Sequence, residues 1–350
     1  MRVLQLIDSL DAGGAERLAV TYANVFPEYV EHSFICASRK EGVLKEKIKD
    51  NVTYFFLNKK STLDIKAIFA LRRLLKRHKI NVVHAHSTSY FLATLVKILR
   101  PSTKLVWHEH HGNRVSTTRM DNKALYLCSF FFNRIVVVNQ ALAQWCQTHL
   151  AKNSATYVPN IVPVSSLNIS HKNREKSIVC LANLRIPKDH LNLIKAFQRT
   201  RTAFPDWKLQ LIGKDNDDTY SRDAKEYIYK NALKSSVEIL GVRSNTEQFL
   251  EKATIGVLSS SSEGLPMALL EYGAFGLAVI ATNVGDCGKV IGTFGKVVPS
   301  KDEKALSDAM LEYMRDVEHR EKDSYDFHTH IKKVYSPEAV LPELIKIYKS

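Results

Sequence analysis

The sequence predicts an α/β chain of two similar halves, each a doubly wound parallel sheet, with a cleft between them. Three observations predict this. Short, continuous apolar runs alternate with helical patterns through the first 160 residues, as in a parallel sheet covered on both faces. The same alternation restarts at Ser177, after a polar stretch with prolines before it. A length of 350 residues also suits two domains of ordinary size. A hydrophobic share of 45% excludes disordered and fibrous chains.

In the first half the expected strands are Val3–Ile7, Ser33–Ala37, Val52–Leu57, Val82–His84, Leu105–Trp107 and Ile135–Val138, with helices at Ala15–Phe26 and Leu63–His78. Tyr157-Val158-Pro159-Asn160-Ile161-Val162-Pro163 and the polar run Ser165–Lys176 read as a linker. In the second half the expected strands are Ile178–Leu181, Leu209–Ile212, Val237–Ile239, Ile255–Leu258, Val279–Ala281 and Lys296–Val298. Helical patterns fill the gaps at Leu191–Thr200, Ser221–Leu233, Thr246–Glu251, Met267–Ala274 and Asp302–Arg315. The expected domains are 1–160, a linker at 161–176, 177–335, and a C-terminal helix at 336–350 that crosses back to the first domain.

No apolar run reaches the roughly 18 residues of a membrane span. The first strand meets Asp8 before a signal-like region can build, so an export signal is not expected. Five dispersed cysteines without CxxC spacing suit a reducing, cytoplasmic setting and offer no zinc site. The charge is lopsided. Residues 1–165 carry 23 Lys+Arg against 11 Asp+Glu, whereas residues 166–350 carry 27 against 25. A basic half attracts polyanions. Its densest stretch, Ile65–Lys79, has apolar residues at 65, 68, 69, 71, 74 and 75 with basic side chains on the remaining arc. Such a helix suits an anionic membrane surface through Arg72, Arg73, Lys76 and Arg77, or is a core helix with a solvated outer face. Nucleic acid is not an expected partner, because no RNP motif, zinc-finger spacing or arginine-rich tail accompanies the charge.

Ligands of open parallel sheets bind beyond the carboxyl ends of the strands. Four such connections carry chemistry. Gly13-Gly14, before Ala15-Glu16, lets backbone approach a ligand or simply makes a tight turn; GxGxxG is absent. His108-Glu109-His110-His111 ends an apolar strand and lacks HExxH spacing. His84 and His86 end the strand before it. Arg185-Ile186-Pro187-Lys188 follows the first strand of the second half and offers two cations to a diphosphate. The strongest is Ser259–Glu271. Pro266 suits the first helical position, and the free N–H groups there suit a phosphate. Glu263 precedes that helix, and Glu271 lies about 7.5 Å along it from Pro266. Carboxylates on either side of one phosphate suit sugar hydroxyls on one side and a ribose on the other.

These segments, with Ala274-Phe275-Gly276-Leu277-Ala278-Val279-Ile280-Ala281-Thr282 and Pro159-Asn160, resemble the retaining GT-B glycosyltransferases that build bacterial capsule, O-antigen and glycolipid sugars. The resemblance implies two Rossmann-like domains facing each other across a cleft and a metal-independent reaction without cofactor. Glu263 would contact the transferred sugar, Gly264-Leu265-Pro266-Met267 would hold the diphosphate, and Glu271 the ribose. Lys188 would neutralise the leaving phosphate, with Arg185 beside it. Gly14 would approach the donor phosphate or, with Gly13, the acceptor. His110 would touch the donor sugar, and His108 and His111 would lie on the acceptor side. Three departures stand out: Asn183 where the family often has arginine, Lys289 where an acid is common, and Ala278 in place of the usual proline.

The expected function is transfer of a sugar from a UDP- or GDP-linked donor to a hydroxyl of a lipid-linked saccharide or polysaccharide precursor, with retention, on the inner face of the plasma membrane. The alternatives are a nucleotide-sugar epimerase or hydrolase of the same architecture, and a non-catalytic sugar-nucleotide or membrane-binding module.

Overall fold

The computed structural model describes residues 1–152, 154–164, 174–243 and 245–350. The chain divides into two units, Met1–Ile161 with Pro337–Ser350, and Val162–Ser336. Of the expected linker, residues 165–173 lie outside the described residues.

The first unit runs β1 (Arg2–Ser9), α1 (Gly14–Val25), β2 (His32–Lys40), β3 (Thr53–Phe56), α2 (Ile65–Arg77), β4 (Val82–His86), α3 (Tyr90–Leu99), β5 (Lys104–Glu109), α4 (Lys123–Ser129), β6 (Arg134–Val137), α5 (Gln140–His149) and β7 (Ala155–Tyr157). All pairings are parallel, in the order β3-β2-β1-β4-β5-β6-β7. Strand β7 was not expected: three half-buried residues, Ala-Thr-Tyr, give no continuous apolar run. Helices start where the sequence supplies caps. Asp64 accepts from the Ala67 N–H at 3.0 Å, and Asn139 from the Leu142 N–H at 2.8 Å.

Helix α2 corrects one expectation. Ala67, Ile68, Leu71 and Leu75 are buried, but Ile65 and Phe69 are 67% and 50% exposed. The apolar arc is wider than the stripe the sheet can cover, so two apolar side chains join the basic face.

The second unit runs β8 (Ser177–Leu181), α6 (His190–Thr200), β9 (Lys208–Ile212), α7 (Thr219–Lys230), β10 (Val237–Gly241), α8 (Glu247–Lys252), β11 (Ile255–Leu258), α9 (Met267–Ala274), β12 (Ala278–Thr282), α10 (Cys287–Ile291), β13 (Lys296–Val298), α11 (Glu303–Arg315) and α12 (Val317–Tyr335). Its parallel order is β10-β9-β8-β11-β12-β13. Leu193, Phe197, Trp207, Leu209, Ile255, Ile280 and Met310 pack in its core. Helix α12 had no counterpart in the expected elements, because its buried residues, Ser324, Phe327, Ile331 and Tyr335, are sparse among charges.

The last helix, α13 (Pro337–Lys349), belongs to the first unit. There the Tyr348 hydroxyl meets His84 Nδ1 at 2.6 Å, and Lys104 Nζ donates to the Lys349 carbonyl at 2.8 Å.

In both sheets chain order reverses direction at one place, between β1 and β4 in the first unit and between β8 and β11 in the second. The loops beyond the carboxyl ends of those strands are where a doubly wound sheet offers a ligand room.

Candidate functional site

In the second unit, the loops after β8 and β11 meet. Lys188 Nζ lies 2.5 Å from Glu263 Oε1, and the two side chains are only 16% and 9% exposed. The Ser260 hydroxyl donates to the same carboxylate oxygen at 2.6 Å. The backbone is fastened on each side. Ser261 N–H donates to the Pro187 carbonyl at 2.8 Å, and the Ser259 hydroxyl to that of Lys188 at 2.9 Å. Thr282 Oγ1 donates to the Ser260 carbonyl at 2.5 Å, and Asp286 N–H to that of Gly264 at 3.0 Å. Gly285, at φ +54°, passes so close to Glu263 and Gly264 that a Cβ would strike their carbonyl oxygens.

Helix α9 begins directly after this loop. Pro266 caps it in an extended conformation rather than occupying its first turn, a one-residue correction. No side chain caps the helix, so a cap satisfies none of its first N–H groups. The helix is anchored from beneath. The Tyr272 hydroxyl accepts from Leu181 N–H at 2.7 Å and donates to the Val257 carbonyl at 3.2 Å. Gly256 makes room for the Tyr272 ring, which a Cβ at that position would overlap. Gly264 and Glu271 are half-buried, and Leu265, Pro266 and Met267 are buried.

Arg185 is exposed, in the turn that Lys188 N–H closes on its carbonyl at 2.9 Å. Asn183 accepts from Lys214 N–H at 2.8 Å, so it ties two loops together. Lys289 pairs with Asp286 at 2.9 Å. Ala278 is a buried strand residue with no special geometry. Under the Lys188 turn, burial pushes the His190 imidazole down to about 4, while the backbone N–H of His190 donates to the Tyr220 hydroxyl at 2.6 Å.

In the first unit, Gly13 caps α1 and Gly14 is its exposed first residue, again with no side-chain cap. The histidines divide into three environments. His108 is fully buried, so its expected place on the acceptor side is corrected: it faces the interior. His84 and His86 are likewise buried and do not line an opening. Their registers, His86 beside His108 and Gln5 beside His84, put these polar rings on one sheet face under Tyr22. His84 Nε2 meets His108 Nδ1 at 3.1 Å. Ring nitrogens of His84, His86 and His108 lie within 4.8 Å of one another. Hydrogen bonding accounts for that spacing, since each of these nitrogens except His108 Nε2 has a partner.

His110 is half-buried, with Nε2 at 3.0 Å from His86 Nδ1. His111 is exposed, and its Nδ1 lies 3.0 Å from the buried carboxylate of Glu109, which also pairs with Arg114. The hydrogen bond to Glu109 raises the His111 pKa, whereas burial lowers that of His110. Adjacent imidazoles are thus held toward opposite charge states.

Sequence reasoning passed over Glu16 and Gln5 as site residues. Glu16, in the first turn of α1, has its pKa raised by burial and feels the charge of His111. Gln5 is a lone amide in an apolar strand, which is itself the signal that it meets a polar partner.

Both halves of the chain are similar to known proteins. The family described as glycosyl transferases group 1 matches residues 167–325, and glycosyltransferase family 4 matches residues 12–166. The chain is 23% identical over 305 residues to the capsular polysaccharide biosynthesis glycosyltransferase CapH of Staphylococcus aureus, spanning 83% of each chain. It is 24% identical over 301 residues to the UDP-Gal:alpha-D-GlcNAc-diphosphoundecaprenol alpha-1,3-galactosyltransferase of Escherichia coli, covering 77% of this chain and 76% of that one. Its fold resembles the crystal structure of Anabaena HepE in complex with UDP and glucose, with a TM-score of 0.83 at 15% identity, covering 100% and 99% of the two chains. Two doubly wound parallel-sheet units, of seven and six strands, are those of a glycosyltransferase of the GT-B class. Within that class, the chain belongs to the glycosyltransferase group 1 family.

Proposed function

We propose that this glycosyltransferase moves a sugar from a nucleoside-diphosphate donor, UDP- or GDP-linked, to a hydroxyl of a lipid-linked saccharide or polysaccharide precursor, with the anomeric configuration retained. One observation carries the reading. Lys188 and Glu263, 75 residues apart, meet beside the uncapped start of α9 at the switch point of the second sheet. A cation and a helix N-terminus meet the diphosphate, and a carboxylate next to them meets sugar hydroxyls.

The pyrophosphate is already a good leaving group, so the work is electrostatic. The acceptor oxygen bonds to the anomeric carbon on the face from which the phosphate leaves. The departing phosphate oxygen takes the acceptor proton. Lys188, Arg185 and the backbone N–H groups of Gly264, Leu265 and Met267 stabilise the phosphate charge beside Pro266, while Glu263 holds the sugar and Glu271 the ribose. Gly14 lets the start of α1 approach donor phosphate or acceptor. His110 touches the donor sugar, and Gly13 and His111 lie on the acceptor side. The scheme uses neither metal nor cofactor.

The relatives named after diphosphoundecaprenol-linked substrates favour a lipid-linked acceptor. No helix among the described residues is long and apolar enough to cross a membrane. Helix α2 offers peripheral attachment to the inner face instead: Arg72, Arg73, Lys76 and Arg77 are exposed on the same helix as Ile65 and Phe69.

The test is a thermal-shift screen against UDP- and GDP-sugars, followed by product analysis with a lipid-linked acceptor in excess EDTA. A new glycoside with retained configuration supports the reading. A free or epimerised sugar assigns the hydrolase or epimerase alternative, and activity that returns only with Mn²⁺ refutes the metal-free scheme.

A further inference from the structure

The imidazoles of the first unit form a directed hydrogen-bond chain. Gln5, on β1, is fully buried and places Oε1 at 2.7 Å from His86 Nε2. A carbonyl oxygen only accepts, so His86 carries its proton on Nε2. A neutral imidazole has one N–H, and burial keeps His86 neutral by lowering its pKa. His86 Nδ1 is therefore a bare acceptor, 3.0 Å from His110 Nε2, which must donate to it. His110 then bears its proton on Nε2 and keeps a lone pair on Nδ1, which has no partner among the described residues.

We propose that Gln5 and His86 are positioning residues that lock His110 in the Nε2–H tautomer, so that its Nδ1 accepts a hydrogen bond from a hydroxyl of the donor sugar. This rests on the reading that His110 touches that sugar. It also sets a specificity. A donor whose hydroxyl at that position is replaced by hydrogen or fluorine leaves Nδ1 unpaired, and is used poorly. His111 is wired the other way: its Nδ1 faces the Glu109 carboxylate, and that bond favours a proton there.

The test has two arms on the full chain. Long-range ¹H–¹⁵N spectra of histidine-labelled protein, without any donor, report the His110 tautomer. The expected result is Nε2–H in the wild type, with a mixture of tautomers in Gln5→Met. Protonation at Nδ1, or a tautomer indifferent to Gln5→Met, overturns the proposal. The wild-type spectrum stands even if a variant fails to fold.

The second arm measures kcat and KM with UDP-glucose, UDP-galactose and UDP-N-acetylglucosamine, whichever is turned over. His86→Asn keeps an acceptor near the Nδ1 position and His86→Leu does not. At matched melting temperature, His86→Leu should lose about tenfold or more in kcat/KM, and His86→Asn should recover most of it. Equal rates in both variants overturn the proposed action on the sugar, yet leave the donor site at Lys188 and Glu263 standing. That site fails separately, if Lys188→Met and Glu263→Gln both turn over donor near the wild-type rate.

Discussion

Acidification should unfold the first unit ahead of the second. His84, His86 and His108 are fully buried, and burial holds each pKa well below the ordinary value. Unfolded, each would titrate near about 6.5. A folded pKa below the unfolded one means that the unfolded chain binds more protons. The stability is then whole above about pH 6.5 and is lost as pH falls below it. One unit lower, at about pH 5.5, each histidine costs about 1.4 kcal/mol, so the three together cost about 4 kcal/mol, and His110, lowered by burial in the same way, adds to the loss. That is a large part of a domain's usual 5–15 kcal/mol, roughly. His111 has the opposite sign, because its raised pKa gives stability that is whole below about 6.5 and fades as pH rises through the folded value. It is exposed, so solvent screens most of that offset. In the second unit burial pushes His190 down to about 4 and lowers the less buried His330, so the losses of this kind are fewer there. The assay is urea unfolding at two pH values, read through Trp107 and Trp145 for the first unit and Trp207 for the second, using Trp→Phe variants. His108→Phe should remove about a third of the drop contributed by the three histidines. Equal losses in the two units, or none in either, would refute the reasoning.

Three further outcomes are expected. Lys188→Met and Glu263→Gln should each lower kcat by about 10²–10³, as the loss of a transition-state contact does, with turnover of both near wild type removing the donor site. Gly256→Ala forces a methyl into the Tyr272 ring, and should destabilise the second unit by about 1–3 kcal/mol or more in urea titrations; no change would mean that the ring has room to move. Replacing Arg72, Arg73, Lys76 and Arg77 by Glu should abolish salt-sensitive binding to anionic vesicles while sparing the fold, as judged by circular dichroism. Wild-type protein that binds neutral vesicles equally well in high salt would rule out the electrostatic part of that contact.

Strand and helix order was largely legible because apolar periodicity is a local property of the chain. Ile255–Leu258 and Lys296–Val298 could be bounded to the residue. The loop at Ser259–Pro266 and the helix after it were legible for the same reason, since glycine and proline act on neighbouring backbone. The weakly patterned elements β7 and α12 were not, because their burial depends on neighbours distant in sequence.

The sequence by itself determined two parallel α/β halves, the uneven charge and the turn between the two glutamates. Only the tertiary structure decided which polar side chains meet. It joined Lys188 to Glu263, turned His108 inward while leaving His111 exposed, and linked Gln5 through His86 to His110. The physical reason is that hydrogen bonds and burial depend on strand order and register. A parallel sheet sets both between segments tens of residues apart, where no local pattern carries the information.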